Sequence, residues 1–175
     1  RKETYGTTGT RIVLRVFGGY DFSTSDLEGD FVQTGYEKGV PMGGNLAESD
    51  KAPQFLIYAT KDPNWANLDR IQVIKGWVEN GVGKEKVYDV AWSGDRKIGN
   101  DGKLPAVGNT VNLTEASYSN SIGATRLKTL WQDPDFKPDQ NQIQAKTQEK
   151  LAPQREVLIL SDKGYEGDIK AALRA

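Results

Sequence analysis

Residues 70–92 read Arg70-Ile-Gln-Val-Ile-Lys-Gly-Trp-Val-Glu-Asn-Gly-Val-Gly-Lys-Glu-Lys-Val-Tyr-Asp-Val-Ala-Trp92. The first half alternates, with Ile71, Val73 and Trp77 on one face. The second half alternates too, with Tyr88, Val90 and Trp92 sharing a face. A period of two is that of a strand with one face buried. Between the halves lies Glu79-Asn-Gly-Val-Gly83, and Asn-Gly readily supplies the positive φ that a tight hairpin turn requires. The spacing predicts a β-hairpin over residues 70–92.

Outward from the hairpin, the same punctuation recurs. Arg11-Ile-Val-Leu-Arg-Val-Phe17 is rich in β-branched residues and is closed by Gly18-Gly19. Gln54-Phe-Leu-Ile-Tyr-Ala-Thr60 is apolar almost throughout, which predicts a strand buried on both faces. Asp21 to Asp30 reads as a loop, and Phe31 to Lys38 has a broken apolar pattern that ends in the turn cluster Gly39-Val-Pro-Met-Gly-Gly44. Residues 93–105 form a polar loop, with short strands expected at Asn109–Leu113 and Ala116–Tyr118. Ala124 to Trp131 fits helical spacing through Leu127, Leu130 and Trp131, and strand spacing through Leu127, Thr129 and Trp131. The preceding glycine and the following Asp133-Pro134 favour the strand. Residues 139–155 are polar and aromatic-free, a surface helix or linker. Val157–Leu160 reads as a short strand, and Asp168 could cap a last helix over Ile169 to Leu173. No repeat is present. Seven or eight short strands with few short helices predict a mainly β fold, an antiparallel β-sandwich-like domain.

Composition limits the chemistry. The 175 residues carry 23 Lys plus Arg against 24 Asp plus Glu, a net charge of -1, which gives no electrostatic footprint for nucleic acid. There is no histidine and no cysteine, which removes thiolate chemistry, Cys/His zinc sites and imidazole acid–base catalysis from this chain. A disulfide scaffold is excluded, and no apolar run reaches the ~20 residues of a membrane helix.

Oxygen ligands remain. Asp95, Asn100 and Asp101 precede Gly102 in a polar loop, a grouping that calcium favours, although the spacing departs from the EF-hand pattern and a solvated loop is the default. Asp21, Asp26, Glu28 and Asp30 receive the same solvated reading, as do Asp162 to Asp168. Paired carboxylates could run glycoside hydrolysis without histidine, and Asp69, Asp89 and Glu79 lie on or near the hairpin. Trp65, Trp77, Trp92 and Trp131 could stack a ligand, with Trp77 and Trp92 as the platform if they share an exposed face; core packing is the commoner fate of such rings. At the N-terminus, the hydroxyls of Thr4, Thr7 and Thr8 lie beside Gly6 and Gly9, close to Arg11. Backbone amides in such a turn bind anions, but no Gly-Lys-Thr or Gly-Lys-Ser follows, so a connecting turn is favoured. Asn112-Leu-Thr114 is a glycosylation sequon read as chance.

Several strings resemble one bacterial group, the domain-of-unknown-function family numbered 3604. They are Arg1-Lys-Glu-Thr-Tyr-Gly-Thr-Thr-Gly9, Lys38-Gly-Val-Pro-Met-Gly-Gly44, Lys61-Asp-Pro-Asn64 and Asn67-Leu-Asp-Arg-Ile-Gln-Val-Ile-Lys-Gly-Trp77. Glu85-Lys-Val-Tyr-Asp-Val-Ala-Trp92, Val107-Gly-Asn-Thr-Val111 and Trp131-Gln-Asp-Pro-Asp-Phe136 complete the set. The likeness spans about residues 1–138; residues 139–175 depart from the pattern, which implies an aromatic-rich strand and a proline-rich ending there. The resemblance implies a relation to metal-dependent hydrolases of the polymerase-and-histidinol-phosphatase type, whose N-terminal barrel holds metals through His and Asp. Tyr5-Gly-Thr-Thr-Gly9 is similar to the closing segment of that barrel, with Thr10 where the family continues with proline.

The resemblance, set beside a histidine count of zero, implies a piece of a longer protein. Residues 1–10 are then a remnant of the barrel or a linker, 11–138 a β-sandwich-like domain, and 139–175 a divergent tail with a short strand and helix. The expected role is non-catalytic: packing on or gating a barrel, with Thr7, Thr8, Gly9 and Arg11 at its rim or at an anion. No catalytic residue is expected in this chain. Divalent metal belongs to the parent protein, with calcium the candidate cofactor here. The partners implied are the missing barrel and a homo-oligomer, with neither nucleic acid nor a transmembrane segment, in a periplasmic or secreted setting. The alternative is a free-standing β-sandwich binding module for carbohydrate or calcium.

Overall fold

The computed structural model describes residues 4–7, 10–80, 82–136 and 156–162. Strand β1 (Val13–Gly19) is followed by a 3-10 turn (Thr24–Leu27), helix α1 (Phe31–Lys38) and the short β2 (Gly39–Pro41). Strands β3 (Gln54–Thr60), β4 (Leu68–Glu79), β5 (Val82–Trp92), β6 (Val111–Asn112), β7 (Ser117–Tyr118), β8 (Arg126–Gln132) and β9 (Glu156–Asp162) complete the described elements. They form one sheet in the order β2-β1-β3-β8, a second in the order β5-β4-β9, and the small hairpin β6-β7. Every pairing is antiparallel.

The predicted hairpin is β4–β5, with Arg70 opposite Trp92 and Glu79 opposite Val82. Asn80 takes φ +53°, the left-handed conformation expected of an Asn-Gly turn. The regular alternation does not survive in β5. Ile71 pairs with Ala91 and Gln72 with Asp89, so Val90 is an extra residue, a β-bulge. Tyr88 therefore shares a face with its partner Val73, while Trp92 lies on the other face with Arg70. β5 is an edge of its sheet, and Lys84, Glu85 and Lys86 on it discourage pairing with another strand.

The two larger sheets share one core. Ile12, Leu14, Ile57, Ala59 and Leu127 from the first meet Leu68, Ile71 and Val73 from the second. At one corner the sheets are joined directly: Leu68 and Ala124 exchange backbone hydrogen bonds of 2.8 and 2.9 Å. β3 is buried on both faces, as its composition predicted. Ile57 and Ala59 point into the shared core, while Leu56 joins Phe17 and Phe22 on the opposite side, under α1 and the 3-10 turn. β8 resolves the two readings of its spacing. It is a strand; Leu127 and Trp131 pack against the shared core, and Leu130 against the Phe17 cluster.

Helix α1 occupies the stretch whose apolar pattern is broken. Asp30 caps it, its carboxylate accepting from the Gln33 amide at 2.9 Å. Asp30-x-x-Gln33 is a sequence signature of a helix start. Gly35 breaks the apolar stripe because Phe17 lies against it. A Cβ at position 35 would sit 2.3 Å from the Phe17 ring. That ring is 2% exposed and wedged between Phe31 and Tyr36, at 5.9 and 5.0 Å between centroids. The strand expected at Val157–Leu160 is found as β9, paired with β4. The surface helix or linker expected over 139–155 and the helix over Ile169 to Leu173 lie outside the described residues.

Gly35→Ala tests this packing, because two effects oppose. Alanine is the better helix former by about 1 kcal/mol, but overpacking costs about 1–3 kcal/mol. Phe17 has no room to yield, so a net loss of stability is expected. A urea midpoint raised by the substitution would show that the ring moves freely.

Candidate functional site

The buried acids of this domain are engaged one by one. Asp26, in the stretch read as solvated, is instead buried, because Lys38 of α1 folds over it. Lys38 Nζ donates to both carboxylate oxygens, at 2.7 and 2.9 Å, and Ser23 donates through its amide at 2.7 Å and its hydroxyl at 3.0 Å. Asp62 accepts the Arg11 amide at 2.8 Å and the Asn64 amide at 2.9 Å. Asp69, 1% exposed, accepts from Arg70 Nε at 3.1 Å, and its second oxygen lies 2.5 Å from Arg96 Nη1, out of line for a hydrogen bond. Both guanidinium groups go on to tie down the loop after β5: Arg70 and Arg96 donate to the Pro105 carbonyl, and Arg70 also to Leu104.

The fourth assembly joins the two sheets. Lys75 and Lys86 are directly opposite in the hairpin, on the face that carries Val73 and Tyr88. Like charges so placed repel. The chain leaving β8 lays two acids over them: Asp133 binds Lys75, and Asp135 binds Lys86 and the Tyr88 hydroxyl. Asp133 is 3% exposed, and it also accepts the Asp135 amide at 2.9 Å. Phe55, Trp131 and Tyr88 form an aromatic row beside this clamp, with centroids 5.7 and 5.1 Å apart.

Three carboxyls are held below the ordinary carboxylate value. The Lys38 ammonium, then the Ser23 amide, does this for Asp26. The Asn64 amide, then the Arg11 amide, does so for Asp62. Lys86, then the Tyr88 hydroxyl, does so for Asp135. A depressed value means stability that is present above the unfolded carboxylate range near ~4 and lost as pH falls through the folded value.

The residues singled out from sequence are dispersed. Asp95, Asn100 and Asp101 are all exposed, and Asp101 accepts the Lys103 amide in its own turn at 3.1 Å. Among the described residues no three acidic side chains converge as metal ligands would. Trp77 pairs with Lys84 and Trp92 with Arg70, on opposite faces of the hairpin, so the two rings do not form one platform. Both are half-buried, and the Trp92 indole donates to the Arg96 carbonyl at 2.8 Å. Asp69 and Asp89 share Arg70 between them, and Glu79 lies nine positions along β4 from Arg70, about 30 Å of strand. Thr7 is exposed, the Arg11 amide already holds the carboxylate of Asp62, and Thr8 and Gly9 lie outside the described residues.

Sequence reading passed over the Lys75–Asp133 and Lys86–Asp135 clamp. A signal was present: Lys75 falls in the inward alternation Ile71, Val73, Lys75, Trp77, where a lysine needs a partner.

These features define an antiparallel β domain whose interior acids serve as clamps. The chain belongs to the family described as protein of unknown function, DUF3604, which matches residues 1–143. No curated protein and no solved structure matches it. Among the described residues no helix is long and apolar enough to cross a membrane.

Lys75→Met strands Asp133, and breaking a buried pair from one side costs about 3–5 kcal/mol. The double change Lys75→Met/Asp133→Leu is expected to regain part of that loss in urea melts; a double variant as unstable as the sum of both singles would argue against direct coupling. Asp26→Asn is expected to lower the urea midpoint at pH 7. The gap to the parent chain closes as pH falls below about 4. A gap that ignores pH would mean that the ionised carboxylate is not what holds Lys38.

Proposed function

We propose that this chain is the non-catalytic C-terminal β domain of a metal-dependent phosphohydrolase, packing on or gating a catalytic barrel that lies outside it. The observation that carries the reading is the fastening of the N-terminal segment. Tyr5 packs against the shared core, its hydroxyl donates to the Ile12 carbonyl at 3.0 Å, and it accepts the Leu14 amide at 3.3 Å. Asp62 then grips the Arg11 amide. Tyr5 and Arg11 are thus each fastened to the sheet that carries the core. Anchors at both positions suit a domain held in a set orientation, as a packing or gating role requires.

The use of the acids supports the same role. Asp26, Asp62, Asp69 and Asp133 are each engaged by lysines, arginines or backbone amides of the domain itself. The likeness of Tyr5-Gly-Thr-Thr-Gly9 to the end of a metal-binding barrel supplies the rest of the reading.

The test compares the natural gene product with the 175-residue chain on a chromogenic phosphate ester with manganese. Turnover is expected from a product longer than 175 residues, and none from the chain alone. Asp62→Asn in the longer protein should lower turnover at unchanged metal content, since it loosens the Arg11 anchor and touches no ligand. Metal-dependent turnover by the 175-residue chain would overturn the reading.

A further inference from the structure

Trp65 is 42% exposed, and Tyr118 is 42% exposed on the neighbouring β6-β7 hairpin. Trp and Tyr bring large faces that favour burial, so two such exposed rings on bonded loops call for an account. The loops that carry them are laced together. The Tyr118 hydroxyl donates to the Asn64 carbonyl at 3.3 Å, and Asn67 donates to the Asn120 and Ile122 carbonyls at 3.0 and 2.9 Å. The Asn67 amide donates to the Asn120 side chain at 3.2 Å. The rings are thus presented on a braced surface.

The surroundings say what they would meet. From Pro105 to Thr125 the only charged side chain is Glu115, in a chain that is 27% charged. Thr110, Ser117, Ser119, Asn120 and Ser121 fill that surface with hydroxyls and carboxamides, and Asn64 adds an exposed carboxamide beside Trp65. Lys61, in the same loop as Trp65, donates to the Trp65 carbonyl. Ordinary protein surface is far more charged, and an anionic ligand would want free cations. Aromatic faces with neutral hydrogen-bonding groups between them suit a ligand with apolar C–H faces and many hydroxyls.

We propose that Trp65 and Tyr118, with the carboxamide of Asn64 beside them, form a binding site for neutral carbohydrate. The site is independent of the accessory-domain reading: a β domain fastened to a barrel and a free-standing one would both present it. It moves the stacking role from Trp77 and Trp92, which lie on opposite faces of the hairpin, to two exposed rings on adjoining loops.

Isothermal titration and tryptophan fluorescence of the 175-residue chain against neutral hexasaccharides test it, using β-linked glucose, xylose, mannose and N-acetylglucosamine. At least one is expected to bind with a Kd of about 1 mM or tighter. Trp65→Ala and Tyr118→Ala should each weaken it about tenfold or more, and Trp77→Ala should leave it unchanged. The urea midpoint of Trp65→Ala should match the parent; Tyr118→Phe, which loses the hydroxyl bond to Asn64 but keeps the ring, should retain binding and so separate lost stacking from a loosened loop. Leu113, 89% exposed at the hairpin turn, would suit a protein contact instead. Binding of none of the sugars, binding indifferent to Trp65→Ala, or a concentration-dependent dimer abolished by Trp65→Ala would each overturn the proposal.

Discussion

Leu56 and Ile57 are neighbours in sequence, both are fully buried, and they point in opposite directions from β3. This one strand therefore needs a cover on each side. Ile57 and Ala59 take the second sheet, and Leu56 takes α1 and the 3-10 turn through Phe17 and Phe22. Burying each such aliphatic side chain is worth about 1.5–3 kcal/mol, so neither cover is optional. The backbone bridge between Leu68 and Ala124 holds the second sheet beside the start of β8.

Charge does the work that apolar residues do elsewhere. A sandwich interior filled only with aliphatic side chains would be cheaper to assemble, since a buried ion pair often gains little over a hydrophobic match. Here Lys75 faces inward and its buried partner Asp133 comes from the segment after β8, while Lys86 and Asp135 pair beside them at the half-exposed rim. Such pairs hold only one arrangement, because either partner alone in the interior is costly. The same logic governs Asp69, whose two arginines also carry the loop from Ser93 to Pro105. The domain uses acids to fix where connections run, a task for which geometry matters more than net energy.

That use of acids bears on function. A hydrolytic pair of carboxylates must face a cleft and remain free to exchange protons. The buried acids Asp26, Asp62, Asp69 and Asp133 lie against lysines, arginines and amides of the chain itself, and the surface around Trp65 and Tyr118 is built differently. There the loops are laced by neutral side chains, and Glu115 is the one charged residue from Pro105 to Thr125.

Much of this was legible in the residues. Alternation located β4 and β5, the unbroken run of β3 announced burial on both faces, and Asn80-Gly81 marked the turn. These are local consequences of backbone geometry, and a period of two is written in order along the chain. The bulge at Val90 was not, because one extra residue leaves the local pattern intact while turning Trp92 away from Tyr88. Nor was the cover of Lys75 by Asp133, 58 positions away. The order of residues settles which segments are strands and which chemistries are impossible without histidine or cysteine. Only the tertiary structure decided which acids are clamps and which aromatics are bare, because burial and pairing depend on what the rest of the chain lays against a side chain.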